Sequence, residues 1–222
     1  MPRKPGIPLP SLRRLPIYYR LLADAIAAGQ TCISSEELGL GAGVPSAQVR
    51  KDLNYLAEYG RPGVGYDVHA LAAYLEEFLG LVNDKEAVLV GVGNLGRALT
   101  SYPGFERYGL QIVAIFDRDE SKLGQIVTGR EVLPVHKLPD LARRLHVQMG
   151  IICVPADQAQ GVADLMVMGG IDVIWNFAPC RLALPEQILV KNEDLAAELA
   201  TLSHHITQRK LATEQHSDQE TA

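Results

Sequence analysis

A glycine-rich turn constrains this chain more than any other part of its sequence. The segment EAVLVGVGNLGRAL, residues 86–99, runs from an apolar, strand-forming stretch into Gly91, Gly93 and Gly96. This G-x-G-x-x-G spacing suits a dinucleotide, because the first glycine permits a tight turn, the second lets the backbone approach the pyrophosphate and the third lets helix and sheet pack closely. The predicted binding loop, whose N–H groups would meet phosphate oxygens, consists of Gly91, Val92, Gly93, Asn94, Leu95 and Gly96.

Residues at three further strand ends complete the predicted dinucleotide site. Asp117 in IFDRD follows Gly96 by about 20 residues, where a carboxylate accepts hydrogen bonds from the adenosine ribose. A carboxylate there repels a 2′-phosphate and favours NAD over NADP, although Arg118 beside it is of the type that can accept that phosphate. The segments CVPAD and NFAP add Val154, Pro155, Asn176, Phe177, Ala178 and Pro179, or are ordinary loops.

Strands and helices alternate around this site. Strands are predicted at 87–92, 111–116, 148–154 and 171–175, and helices at 94–102, 136–146 and 156–168. Such alternation predicts an α/β fold with a doubly wound parallel sheet. After it, Leu195, Leu199, Leu202 and Ile206 repeat with helical spacing in a last amphipathic stretch, and the polar tail from 212 is predicted to be disordered.

Charge separates the first part of the chain from the rest. Residues 1–61 contain eight Lys and Arg against five Asp and Glu, whereas the whole chain carries a formal charge of −5. A basic segment joined to an acidic body indicates an interaction with nucleic acid for that segment alone.

The basic segment reads as a helix-turn-helix. A mobile arm over residues 1–15 is predicted to lead into a helix that starts at Pro16 and ends at Gly29, followed by a capping box of Ser34 and Glu37. The next helix, SAQVRKDLNYLAEYG, is predicted to be capped by Ser46 and stopped by Gly60.

A polar helix face and a short loop extend that pattern. Arg50, Lys51 and Asn54 lie opposite the apolar residues of the third helix, and RPGVGY after it suits a short wing. A linking helix over 67–81, capped by Asp67, would follow. The pattern predicts a winged helix-turn-helix, and the alternative is a small helical bundle with a solvated charged face.

Other classes of site find little support in the sequence. Cys32, Cys153 and Cys180 stand far apart, and the histidines lack the spacing of a metal site, so we expect neither a metal nor disulfides. The start has no secretory pattern and no apolar run is long enough to span a bilayer, which favours the cytoplasm and no membrane partner.

Three functions remain open at this point. A dehydrogenase needs a substrate pocket and an acid or base near the nicotinamide, and no His or Lys here stands in such a setting. A sensor that binds NADH and NAD⁺ unequally, and DNA in one conformation, would use both parts of the chain. The alternatives are a small NAD-dependent oxidoreductase and a scaffold, CoA-binding or nucleotide-binding module without a DNA role.

The motifs together resemble the Rex redox-sensing transcriptional repressors of bacteria. The resemblance spans roughly residues 13–202 and is carried by RLPIYYRLL, ISSEELG, AQVRKDLNYL, GVGY, VGVGNLGRAL, YPGFERYGL, FDRDESKLG, VPADQAQGVAD and WNFAP. It implies a non-enzymatic homodimer that NADH releases from inverted-repeat operators. The implied organisation is a winged-helix domain over 1–80 (helix-turn-helix about 18–57), a Rossmann NAD(H)-binding domain over 81–192, a domain-swapped helix over 193–211 and a tail over 212–222.

The resemblance also implies roles for individual residues. A redox-dependent network would consist of Arg20, Tyr102 and Asp194. DNA contacts would come from Ser46, Gln48, Arg50, Lys51, Asn54, Arg61 and Tyr66. The chain departs from the family at Pro62, where an Arg is frequent in the wing, and at Leu195, where an aromatic residue often lies near the nicotinamide.

Overall fold

The chain divides into two compact units, which we call the N-terminal unit (residues 1–83) and the C-terminal unit (residues 84–222). The computed structural model describes residues 7–56, 60–61, 63–82, 85–194, 196–197, 199–200, 202–204 and 206–208. Pro62, Leu195, the predicted tail and the first residues of the predicted arm therefore lie outside the described residues.

The N-terminal unit is a winged helix-turn-helix. Its elements are α1 (Leu9–Ala27), β1 (Cys32–Ile33), α2 (Ser35–Ala42), α3 (Ser46–Asn54), β2 (Gly60–Arg61), β3 (Gly65–Asp67) and α4 (Val68–Phe78). The strands pair antiparallel in the order β1-β3-β2, so that the predicted RPGVGY wing is a β2–β3 hairpin. The small-bundle alternative lacks this sheet and is thereby excluded.

The first helix starts earlier than predicted. α1 begins at Leu9 with Pro10 in its first turn, and it continues through Pro16. Leu15 is buried about one turn before the buried Tyr18 and extends the apolar stripe toward the N-terminus, and Ser11, one turn earlier still, is buried on the same face. Burial of that stripe outweighs the cost of an interior proline, about 3 kcal/mol. The prediction of a mobile arm up to residue 15 was therefore wrong for residues 9–15.

Two of the predicted helix caps are confirmed and one is wrong. Ser34 Oγ accepts from the Glu37 backbone N–H at 3.1 Å, and the Glu37 carboxylate accepts from the Ser34 backbone N–H at 2.8 Å. The Asp67 carboxylate accepts from the Ala70 N–H at 2.8 Å. α3 is instead preceded by Pro45, without a side-chain cap, and Ser46 is already helical. The helix ends at Asn54 and is followed by a turn at Tyr55 and Leu56, and Gly60 belongs to β2 and does not stop the helix.

The fourth helix is part of the core and not only a connection. Leu71 and Leu75 of α4 are buried in the same cluster as Leu15, Tyr18 and Leu22 of α1. This packing explains why the N-terminal unit extends beyond the wing.

The C-terminal unit is a Rossmann-like α/β layer structure. Its elements are β4 (Lys85–Val90), α5 (Asn94–Thr100), β5 (Leu110–Asp117), β6 (Ile126–Val127), β7 (Arg130–Pro134), α6 (Leu138–Leu145), β8 (Met149–Ile152), α7 (Ala156–Met168), β9 (Val173–Asn176) and β10 (Leu189–Asn192). The described strands form a sheet in the order β10-β9-β8-β4-β5-β7-β6, parallel except for β6 with β7. The four predicted strands are the four central ones.

The residues after β10 return to helix. Those described between 196 and 208 are helical, and Leu199, Leu202 and Ile206 are each more than half exposed. Within the described part of the chain, no helix combines the length and apolar character needed to cross a membrane.

Candidate functional site

The glycine-rich loop joins the central strand β4 to α5. Gly91 has φ +101° and lies against the carbonyl of Cys153, so that a side chain there would be both strained and obstructed. A Cβ on Gly96 would run into the carbonyl of Gly91, which confirms the close helix–strand packing expected of the third glycine. Gly93 is exposed, and no atom lies within 4 Å of the place where its Cβ would be. Its backbone is therefore open to a ligand.

A cleft of about 710 Å³ lies over this loop. The predicted residues that line it are Gly91, Gly93, Asn94, Leu95, Asp117, Arg118, Val154, Pro155 and Phe177. They come from the carboxyl ends of β4, β5, β8 and β9, the edge at which open α/β sheets bind ligands.

The remaining predicted cofactor residues do not line the cleft. Val92 and Gly96 are buried in the loop and in α5, and Pro179 is exposed elsewhere. Asn176 is fully buried: its amide donates to the carbonyls of Ala178 and Cys180 and to Asn192 Oδ1. Ala178 is buried in the core. Asn176 therefore holds the turn after β9 and joins it to β10, which corrects its assignment to the pocket.

Four further residues line the cleft and were not predicted from the sequence, namely Asp119, Lys122, Cys153 and Gln158. Lys122 could have been found from its position five residues after Asp117, close enough in the chain for its ammonium group to reach that carboxylate. Burial raises the pKa of the Cys153 thiol to about 12, so that it is a neutral thiol at physiological pH.

Asp117 is the charged centre of the cleft. Its Oδ2 accepts from the Val92 backbone N–H at 2.8 Å and from Lys122 Nζ at 3.0 Å, and its Oδ1 accepts from the Asp119 N–H at 3.0 Å. Burial alone would raise the pKa of Asp117, but these hydrogen bonds lower it below its ordinary value. The carboxylate is thus ionised and held beside the loop.

A second concave surface lies on the N-terminal unit. This groove of about 660 Å³ is bounded by the start of α2, by α3 and by the wing, and Arg50, Asn54 and Arg61 line it. Arg50 Nη1 donates to Ser35 Oγ at 2.9 Å and to Ser46 Oγ at 3.3 Å. Lys51, Asn54 and Arg61 are exposed.

Two predicted DNA-contact residues point inward. Tyr66 is 7% exposed within the core, its ring lies against Gly60, and burial raises its pKa. Gln48 is half-buried and donates to Asp52 Oδ1 at 2.8 Å. Tyr66 lines the groove from its inner side, where its ring supports the wing, and Gln48 is engaged within its own helix, so neither side chain extends from the surface as those of Lys51, Asn54 and Arg61 do.

Gln48 belongs to a polar network that joins α1 to α3. The fully buried Asp52 accepts from Arg14 Nε at 2.6 Å and Nη2 at 2.8 Å, and from Tyr18 Oη at 2.8 Å. Burial by itself would raise the pKa of Asp52, yet the hydrogen bonds from Arg14, Gln48 and Tyr18 bring it down to about 2. The same hydrogen bond with Asp52 raises the pKa of Arg14.

The three residues of the expected redox network are distributed over both units. Arg20 is exposed on α1 of the N-terminal unit. In the C-terminal unit, Tyr102 is 56% exposed and packs edge-on against Phe105, with ring centroids 5.2 Å apart. Asp194 is exposed and accepts from the N–H groups of Ala196 and Ala197 at 3.0 Å, at the start of the C-terminal helical residues. No hydrogen bond joins Tyr102 to Asp194 in the part of the chain that the structure describes.

No group of three or more His, Cys, Asp or Glu side chains among the described residues is arranged to hold a metal ion.

Two family models match the chain. Residues 6–54 match the putative DNA-binding protein N-terminus, and residues 82–180 match the CoA binding domain. The two matches fall on the two units and on their two concave surfaces.

Relatives match the chain over most of its length. A redox-sensing transcriptional repressor Rex from Desulfitobacterium hafniense is 44% identical, over 92% of this chain and 97% of that protein. Its counterpart from Streptomyces coelicolor is 42% identical, over 97% of this chain and 83% of that protein.

Solved structures agree with these relatives. A complex of RSP with beta-NAD⁺ and operator DNA has a TM-score of 0.87 at 35% identity and covers 95% of this chain and 97% of its own. RSP in complex with beta-NADH has a TM-score of 0.82 at 34% identity, covering 95% and 99%. RSP itself is described as a Rex-family repressor.

Proposed function

The chain belongs to the Rex family of redox-sensing transcriptional repressors, and from that premise we propose how its two concave surfaces share the work. It is a DNA-binding repressor that responds to NADH and NAD⁺. The relatives are repressors, which confirms the prediction of a regulator over that of an oxidoreductase. In our proposal the cleft of the C-terminal unit reads the dinucleotide and α3 with the wing holds the operator.

One observation carries this proposal: a single chain joins a glycine-built cleft to an exposed basic helix. The open backbone at Gly93 and the ionised Asp117 fit the pyrophosphate and ribose of a dinucleotide. Arg50 and Lys51 on α3, with Arg61 in the wing, supply the cations that a phosphate backbone requires.

We assign the redox discrimination to Arg20, Tyr102 and Asp194. The oxidised nicotinamide ring carries a positive charge and the reduced ring does not, so a phenol and a carboxylate near it can change partners with redox state. An ion pair made in one state only contributes about 1–3 kcal/mol, the usual scale of coupling between sites. A nearly complete switch needs about 5.5 kcal/mol, which two cofactor sites in a dimer supply together when each contributes near the upper end of that range.

We further propose a homodimer joined by the swapped helix of residues 193–211. The exposed Leu199, Leu202 and Ile206 give that helix an apolar face that a second copy would cover. A two-fold dimer reads two-fold sites, so the operator is an inverted repeat, and NADH moves the two recognition helices away from the spacing of successive major grooves.

Fluorescence anisotropy of the protein on an inverted-repeat duplex at fixed salt tests the proposal. We expect NADH to weaken binding sharply, NAD⁺ to preserve it and CoA to have no effect. Arg50→Ala is expected to cost about 1–3 kcal/mol of DNA affinity and to leave NADH binding unchanged. Arg118→Ala, at a residue that lines the cleft, is expected to weaken NADH binding and to leave DNA affinity unchanged.

Two results would overturn the proposal. Equal DNA affinity in NADH and in NAD⁺ would remove the cofactor as the signal, and release by CoA would reassign the cleft to the alternative of a CoA-binding module. A salt-sensitive affinity indicates contacts with DNA phosphates, which a module without a DNA role would not make.

A further inference from the structure

Four aromatic rings connect the dinucleotide cleft to the surface of the C-terminal unit. We call Phe177, Trp175, Phe105 and Tyr102 the aromatic row. Phe177 lines the cleft, and its ring centroid lies 5.0 Å from that of Trp175. Trp175 is 5.7 Å from Phe105, and Phe105 is 5.2 Å from Tyr102. All three distances fall within the 4.5–7 Å range of attractive aromatic pairs, so that a displacement of one ring is felt by the next.

The row has a polar branch at its centre. Trp175 Nε1 donates to Glu193 Oε1 at 3.3 Å. The backbone N–H of Glu193 donates to the carbonyl of Asn176 at 2.8 Å, and its carboxylate pairs with Lys191 Nζ at 3.2 Å. Glu193 is thereby anchored to β9 by both its main chain and its side chain.

That anchor stands directly before the C-terminal helical residues. Asp194 accepts from the N–H groups of Ala196 and Ala197, and therefore begins the helix that Glu193 fixes in place. Among the contacts of the described residues, a single side chain links this start of the helix to a ring that lines the cleft. That side chain is the Trp175 indole, which contacts both Glu193 and Phe177.

We infer that Trp175 and Glu193 are positioning residues that transmit occupancy of the cleft to the C-terminal helix. A dinucleotide ring against Phe177 displaces the aromatic row, and the indole N–H carries the displacement to Glu193 and so to Asp194. Neither residue touches the cofactor or the operator; both act on the coupling between them. This inference rests on the proposed function, since it needs a DNA affinity that NADH changes.

The test separates coupling from binding and from stability. Trp175→Phe keeps the ring and removes the N–H donor, and Glu193→Ala removes the acceptor. Glu193→Gln keeps an acceptor for the indole, and Lys191→Met removes the ion pair while it leaves the hydrogen bond between the indole and Glu193 in place. For each variant we would measure the Kd for NADH, the Kd for DNA without dinucleotide, and the ratio of DNA affinities with and without saturating NADH.

Trp175→Phe and Glu193→Ala are expected to reduce that ratio about five-fold or more, the lower end of allosteric coupling, while both Kd values stay within about two-fold. Glu193→Gln and Lys191→Met should retain the ratio of the natural sequence. Trp175 is the only tryptophan of the chain, so its emission reports the surroundings of this one indole. Addition of NADH should shift that emission less in Glu193→Ala than in Glu193→Gln.

An unchanged ratio in Trp175→Phe and Glu193→Ala overturns the inference, as does a rise in the Kd for NADH and for DNA that accounts for the whole loss. If the unsubstituted protein itself shows no NADH effect on DNA, the proposed function fails, and that outcome is distinct from a normal response that the variants share.

Discussion

Among the residues that the structure describes, each unit buries one aspartate, and the two are held in different ways. Asp52 of the N-terminal unit accepts four hydrogen bonds, all from side chains: two from Arg14, one from Tyr18 and one from Gln48. Asp117 of the C-terminal unit accepts three, of which two come from the backbone N–H groups of Val92 and Asp119 and one from Lys122.

The difference lies in what remains available. An ionised carboxylate offers about four acceptor sites, so Asp52 is saturated by partners from α1 and α3. Oδ1 of Asp117 accepts only from the Asp119 N–H among the described residues, and it lies in an open cleft. A buried carboxylate with all its sites filled ties helices together, whereas one with a site to spare can receive a hydroxyl of a ligand. We therefore expect substitutions at Asp52 to act on stability and those at Asp117 to act on cofactor binding.

The largest expected effect is that of Asp52→Asn on the N-terminal unit. The amide leaves the partly buried Arg14 guanidinium without its counter-charge, and loss of one partner of a buried pair costs about 3 kcal/mol or more. Urea unfolding followed by far-UV circular dichroism should show an early transition, while Trp175 emission, which belongs to the C-terminal unit, stays at its native value.

Asp24→Asn is the matched control, because Asp24 is an exposed aspartate on the same helix α1. If the Asp52 and Asp24 variants unfold at the same urea concentration, the network between α1 and α3 does not stabilise the N-terminal unit. That result would contradict the role in stability that we assign to Asp52.

The next effect is the acid sensitivity of the N-terminal unit. The pKa of Asp52 is lowered from 3.8 to about 2 in the folded chain. Its contribution is therefore fully present above pH 4 and is lost as the pH falls toward 2; at 1.36 kcal/mol for each pKa unit this is about 2 kcal/mol. Acid unfolding measured by circular dichroism should be shallower in Asp52→Asn, which has no carboxyl to protonate. If the stability of the natural sequence and that of Asp52→Asn fall in the same way as the pH is lowered, the pKa assigned to Asp52 is contradicted.

A smaller effect is expected of Asp117→Asn on the cofactor. One terminal atom of an asparagine is a donor, so the side chain cannot accept from Val92, Asp119 and Lys122 and also receive a ribose hydroxyl. NADH affinity should fall about ten-fold, equivalent to 1.4 kcal/mol, and the preference for NADH over NADPH should narrow as the negative charge is lost. Fluorescence titration with both dinucleotides measures this.

Asp119→Asn is the control for that titration, since Asp119 lines the same cleft with a half-exposed carboxylate. Equal losses at positions 117 and 119 would show a general effect of charge and not the specific geometry of the Asp117 carboxylate.

The same contrast explains what the sequence could predict. Residues 91–96 and Asp117 were predictable because one strand-turn-helix unit fixes their spacing, and the caps of α2 and α4 because each is contained within four residues. The network of Asp52 was not, since Arg14 lies 38 residues away and only the packing of α1 on α3 brings the two charges together.

Edge strands and inward-facing polar residues escaped prediction for a related reason. β6 has two residues, and three of the four in β10 are exposed, so neither carries an apolar pattern. Asn176 lies in a segment typical of a binding loop, yet its amide donates to Ala178 and Asn192 around the turn after β9. Tyr66 lies in a wing, yet its ring is buried in the core. Local sequence shows that such residues are polar or aromatic; long-range packing decides which way they face.

The smallest effect is expected at the surface cap of α2. Ser34→Ala removes the acceptor for the Glu37 N–H, and loss of such a cap costs about 1 kcal/mol; Ser34→Thr keeps a hydroxyl and should restore most of it. Urea midpoints of the two variants, set beside that of Asp52→Asn, rank an exposed local hydrogen bond against a buried network between helices. If Ser34→Ala lowers the unfolding free energy as much as Asp52→Asn does, the saturated carboxylate stabilises the N-terminal unit no more than one capped helix end. The two aspartates would then differ only in the role of Asp117 in the cofactor cleft.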